Sequence, residues 1–224
     1  MIERRLMSIE RFTNTLTKAS NLICYADTYS RMSSLNRLSE TFRPSIKLLM
    51  LGIFIFSLAG NALFTPLPIF FLNLYSASMV FPLFFANSVA KTFSYLFLSG
   101  VAKSSKKALI LASASRIVLI PILTIQSILG IYSGFTLAAG ILALLGVFWV
   151  LFDVSSKCLY LELSQLGMTG LYGALIGLGS AVGGFLGGYV AMSYGFETLF
   201  ILCSLIYTAT LLTFTLQFKR WICV

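Results

Sequence analysis

Residues 134–153 read GFTLAAGILALLGVFWVLFD, twenty positions without a charge until the closing Asp153. At ~1.5 Å rise per residue, a helix of that length covers ~30 Å, the thickness of a bilayer's hydrocarbon. Five further stretches of the same character surround it, at 48–72, 79–101, 108–129, 168–192 and 197–218. Hydrophobic residues make up 58% of the chain and charged residues 10%, whereas soluble domains average about 25% charged. The pattern predicts an all-α fold, a polytopic membrane protein with six transmembrane helices.

The charges between the stretches predict its orientation. Lysine and arginine precede the first stretch at Arg4, Arg5, Arg11, Lys18, Arg31, Arg37, Arg43 and Lys47. They recur at Lys103, Lys106 and Lys107, at Lys157, and at Lys219 and Arg220. The alternate connections, near 73–78, 130–133 and 193–196, carry none. Positive residues collect on the cytoplasmic side of a membrane, so the bias predicts a multi-pass protein of the cell membrane with both termini cytoplasmic. It also divides the chain: 1–45 is a basic amphipathic lead-in, 46–218 a six-helix bundle, and 219–224 a cytoplasmic tail.

Composition narrows the function classes. The net charge of +9 comes without any nucleic-acid reading motif, and topology accounts for the basic residues together with attraction to anionic membrane lipid. There is no histidine, which removes Ser-His and Cys-His catalysis and histidine-ligated zinc. The four cysteines have no metal-ligand spacing, and Cys24, Cys158 and Cys223 fall on the reducing side, which argues against a disulfide framework. No catalytic residue, metal ligand or cofactor is expected, and the polar first 45 residues do not read as a signal peptide.

In the lead-in, Ile2, Leu6, Ile9, Phe12, Leu16, Ala19 and Ile23 recur at steps of three and four, one face of an amphipathic helix. Two readings fit: a helix on the membrane surface, or a partly ordered segment that fixes topology. The spans themselves recur. The first and fourth, second and fifth, and third and sixth begin at nearly the same offset, so the bundle reads as two inverted three-helix repeats, a recurring transporter design. Ten of the 17 glycines fall between 167 and 195. Within the fifth span Gly177, Gly179, Gly183, Gly184, Gly187 and Gly188 form small-residue ridges on which another backbone can pack, which predicts the most tightly packed helix of the bundle.

The same region carries a likeness to a known family. Leu159-Tyr160-Leu161-Glu162-Leu163-Ser164 precedes Gly170. There follow Gly177-Leu178-Gly179-Ser180-Ala181-Val182-Gly183-Gly184 and Gly195-Phe196-Glu197-Thr198-Leu199-Phe200. Together these resemble the tenth-to-twelfth helix region of a major facilitator superfamily transporter. The resemblance implies the C-terminal six-helix half of such a carrier, with the basic lead-in as the loop joining the halves. The loop Gly100-Val101-Ala102-Lys103-Ser104-Ser105-Lys106-Lys107 keeps the leading glycine and basic cluster of the superfamily's loop signature. It lacks the aspartate and the second glycine, so no aspartate-based switch is implied there.

Polar residues within the spans are the candidate site. Lys91 lies nine positions before Gly100, ~14 Å inside the cytoplasmic end, where a charge costs at least ~2.5 kcal/mol. Lys91, Asn61 and Asn87 are expected on the substrate path, the asparagines having a hydrogen bond to a neighbouring helix as their alternative use. Arg116 and Asp153 approach from the same side and are expected to form a structural ion pair, although Lys157 stands one turn from Asp153 as an alternative partner. Pro66 and Pro68, after Gly60-Asn61, predict a kink in the first span. The expected function is half of an alternating-access transporter for a small solute, partnered by a second six-helix half, either itself or a separate chain. The alternative is a non-transporting membrane subunit or the product of a truncated transporter gene.

Overall fold

The structure is a computed structural model that describes residues 43–102, 106–125, 131–163 and 169–222. The amphipathic pattern of the lead-in lies outside the described residues. Every described element is a helix: α1 Arg43–Phe64, α2 Leu67–Leu74, α3 Ala77–Ala102, α4 Lys106–Ile125, α5 Ile131–Leu163, α6 Thr169–Tyr194 and α7 Phe196–Ile222. α7 runs past 218 to Ile222, while its candidate membrane span ends at Phe218.

Five segments are long and apolar enough to cross a membrane: Ile46–Leu74, Lys106–Ile125, Ser133–Glu162, Gly170–Tyr194 and Phe196–Phe218. The molecule is therefore suited to a multi-pass membrane protein. The expectation of six such segments is met only in part. α3 has the length, 26 residues, but Asn87, Ser88, Lys91, Thr92 and Ser94 interrupt its apolar run.

The first apolar stretch is two helices. Pro66 lacks an amide hydrogen, so the ladder of α1 ends at Thr65, whose amide bonds the Asn61 carbonyl at 3.1 Å. The Pro66 carbonyl then accepts from Ile69 at 3.0 Å and opens α2. α6 closes differently. Gly195 takes φ 86°, a left-handed conformation open to glycine, and its amide caps the Ala191 carbonyl at 3.2 Å. α7 begins at the next residue.

The two longest pairings join helices that are not consecutive in sequence. α1 packs along α6 and also against α7, α3 packs along α5, and α4 lies against both α5 and α7. Two of these pairs run parallel. Ser57 meets Ile176 and Ser180 while Ala62 meets Gly187 further along both helices. Likewise Asn87 meets Leu142 while Tyr95 meets Asp153. The interior between them is aromatic. Phe56 of α1 stacks on Phe152 of α5 with centroids 3.6 Å apart, and Tyr207 of α7 stands edge-on to Phe56 at 5.2 Å. Where lipid is as apolar as leucine, such shape-matched contact, rather than escape from water, holds helices together.

α6 corrects the packing expectation. Only 22% of its most apolar window is buried, the least of the five segments. One edge is tight and the rest is open, with Leu178, Phe185, Tyr189 and Met192 exposed. A Cβ at Gly179, Gly183 or Gly187 would collide with the α1 backbone at Phe54, Leu58 or Ala62, and one at Gly184 would press on Thr65. Gly177 and Gly188 meet nothing within 4 Å. A helix turns 100° per residue, so Gly179, Gly183 and Gly187, four apart, share one edge, and Gly177 is turned off it.

Candidate functional site

The charged side chains gather where α3, α4, α5 and α7 approach α1. Lys91 of α3 sends its ammonium between two rings, 5.7 Å from the centroid of Phe64 and 5.8 Å from that of Trp149. Its stem lies over Gly146, where a Cβ would stand 3.3 Å from Lys91 Cγ and 2.7 Å from the Asn87 carbonyl. Gly146 is thus what lets α3 and α5 close around the lysine. Among the described residues Lys91 makes no hydrogen bond and no ion pair; its contacts are the rings.

Arg116 of α4 is fully buried. Its Nη1 donates to the Tyr207 hydroxyl at 2.5 Å and its Nη2 to the Leu145 carbonyl at 3.4 Å. The guanidinium carbon lies 4.8 Å from the Phe56 centroid, 5.2 Å from Tyr207 and 5.6 Å from Trp149. A planar, weakly hydrated cation suits such a setting better than an ammonium, through stacking and cation–π attraction. Its Nε has no acceptor among the described residues.

The expected Arg116–Asp153 pair is not formed. Asp153 Oδ2 accepts from the Tyr95 hydroxyl and from Lys157 Nζ, each at 2.7 Å. Lys157 stands one turn along the same helix, and Tyr95 stands one turn beyond Lys91 on α3. Arg116 instead points toward α7. Shared depth in the membrane brought the two charges to one level, but not onto facing sides. Nearby, Ser156 Oγ and the Tyr172 hydroxyl share a bond of 2.8 Å that ties α5 to α6.

The two asparagines expected on the substrate path join helices. Asn87 Nδ2 donates to the Leu142 carbonyl at 2.5 Å, tying α3 to α5 one turn from Lys91. Asn61 Nδ2 donates to Ser180 Oγ at 2.8 Å and to the Ser57 carbonyl at 3.0 Å, on the α1–α6 seam. Ser57 Oγ completes that seam by donating to the Ile176 carbonyl at 3.0 Å. Cys203 is a buried free thiol.

Sequence reasoning missed the aromatic part of the site: Phe56, Phe64, Trp149 and Tyr207. A usable signal existed in the spacing. Lys91 and Tyr95 are four apart on α3, and Trp149 and Asp153 are four apart on α5, so each helix presents two successive members of one face. Chemically, the arrangement is a desolvated cation pair on one indole, able to hold negative charge and poorly suited to hold more positive charge.

Comparison with protein-family models, curated proteins and solved structures finds no match to the chain. The fold and site define a class by themselves: an all-helical chain with several helices fit to span a membrane and a cationic, aromatic interior.

Proposed function

We propose that the chain is a six-helix half of an alternating-access carrier of the major facilitator type, moving a small solute across the cell membrane. One observation carries this reading, the pattern of neighbours. Let α1 with α2 count as the first span and α3 to α7 as the second to sixth. The first lies along the fifth, as the fourth lies along the second; the first touches the sixth, as the fourth touches the third. The remaining major contact, third with sixth, maps onto itself. Exchanging the two sets of three spans preserves these five pairings, although the α6–α7 contact has no counterpart of like extent between α3 and α4 among the described residues, and both long pairings are parallel. Because each set holds an odd number of crossings, the copies are inverted in the membrane, as in many secondary transporters.

Three further features support it. The loops alternate between basic and uncharged, which favours both termini in the cytoplasm. The first span is broken at Thr65–Pro66, and broken helices recur beside transported solutes. Lys91 stands at the middle of its helix against Trp149, a costly position for a charge without a task. Six helices supply one wall of a path, so the carrier also needs a second six-helix unit to rock against.

The test is uptake by proteoliposomes holding the purified chain, screened against radiolabelled anionic, neutral and cationic solutes. The reading expects uptake of at least one class above empty vesicles, and Lys91→Ala is expected to abolish it while protein yield and thermal stability persist. No uptake of any class, with the protein folded and oligomeric, would favour the non-transporting subunit instead.

A further inference from the structure

We propose that the corner formed by Lys91, Trp149 and Phe64 binds a soluble organic anion with an apolar body, while Arg116 supplies a second, fixed positive charge against the same indole. Two cations share the Trp149 ring, Lys91 Nζ at 5.8 Å and the Arg116 guanidinium at 5.6 Å. Neither meets a carboxylate among the described residues. Asp153, one turn along α5, is already engaged by Lys157 and Tyr95. After residue 45 the chain holds just two other acids, Glu162 and Glu197, and both are exposed.

Among the described residues neither cation is directly paired with an acid, and repulsion between the two is relieved when an anion arrives. Their access differs. Arg116 is sealed, its Nε unpartnered among the described residues, whereas Lys91 and Trp149 are partly exposed, so a ligand reaches the ammonium and feels the nearby guanidinium. The walls are the rings of Phe64 and Trp149, which suit an apolar or aromatic body beside the negative group. Gly146 and Asn87 are positioning residues: the first leaves room for the lysine stem, and the second clamps α3 to α5 beneath it. As a statement about cargo, the inference rests on the carrier reading; as a statement about binding, it stands apart from it.

The chain has two tryptophans, so Trp221→Phe leaves Trp149 as the sole emitter. That protein, in phosphatidylcholine vesicles, is titrated with benzoate, benzamide and benzylammonium, following Trp149 emission and retention of radiolabelled ligand. Saturable benzoate binding is expected, with benzamide weaker by roughly tenfold or more and benzylammonium unbound. Lys91→Arg is expected to keep benzoate affinity within a few-fold, and Lys91→Gln to weaken it roughly tenfold or more. The charge series needs no Lys91 variant, so it decides the matter even where Lys91→Gln fails to fold. Equal affinity for benzoate and benzamide, or no saturable binding, overturns the proposal. So does loss of benzoate binding in phosphatidylglycerol vesicles, which would make a lipid head group the occupant. Benzoate binding without any solute uptake, by the chain alone or joined by a second six-helix unit, would sink the carrier reading and leave this site standing; uptake of neutral or cationic solutes without benzoate binding would do the reverse.

Discussion

Adding one methyl group at Gly183 or Gly187 separates the α1–α6 seam. A Cβ at Gly183 would stand 2.9 Å from the Leu58 carbonyl carbon, and one at Gly187 2.6 Å from that of Ala62, with the carbonyl oxygens nearer still. Both obstacles are backbone, so no rotamer change relieves them, and the helices must part. Overpacking of this kind costs about 1–3 kcal/mol. The same separation stretches the Asn61–Ser180 and Ser57–Ile176 bonds, about 0.6 kcal/mol each in membrane proteins. Alanine returns about 1 kcal/mol of helix propensity relative to glycine. The net expectation is a loss of about 1–3 kcal/mol for Gly183→Ala and for Gly187→Ala. Gly177→Ala and Gly188→Ala, with nothing within 4 Å, keep only the propensity gain and should be neutral or slightly stabilising. Reversible unfolding in mixed micelles, followed by near-UV circular dichroism, measures all four. Equal stabilities would show that the ridge does not bear on α1.

Single cysteines at Ser76 or Ser133, in a cysteine-free background, should label from outside intact cells, and one at Ser104 should not; external labelling at Ser104 would invert the topology. Asp153→Asn should destabilise by about 1–3 kcal/mol, because it leaves Lys157 uncompensated and weakens the bond to Tyr95. Tyr95→Phe should cost nearer 1 kcal/mol, and equal losses for the two in denaturant titration would contradict this assignment. Arg116→Lys should lower thermal stability markedly, since an ammonium cannot stack on Phe56 while bonding Tyr207; an unchanged melting curve would mean that only the charge at that position matters.

Apolar run length and loop charge made the helices and their order legible, because both follow from the cost of exposing backbone and charge to hydrocarbon. The break at Pro66 was legible for a similar local reason, the missing amide hydrogen. The partners of Arg116 were not. Depth follows from counting along one helix, but the facing side depends on how α4 and α7 are rotated, and no residue count carries that. The glycines divide on the same point. Gly179, Gly183 and Gly187 share an edge, whereas Gly177 and Gly188, equally glycine-rich in context, meet nothing within 4 Å. Gly146 escaped notice because it is isolated in sequence, although it seats Lys91 as closely as the ridge seats α1.

The claim at the centre of this account is that the six helices form one wall of a carrier and act only with a second six-helix unit. Counting chains per active particle tests it most directly, by native mass spectrometry from lipid nanodiscs matched to solute uptake by the same preparation. The account predicts that uptake tracks a species holding two six-helix units, either two copies of this chain or one copy with a separate unit. Robust uptake by particles that hold this chain's six helices alone would contradict it.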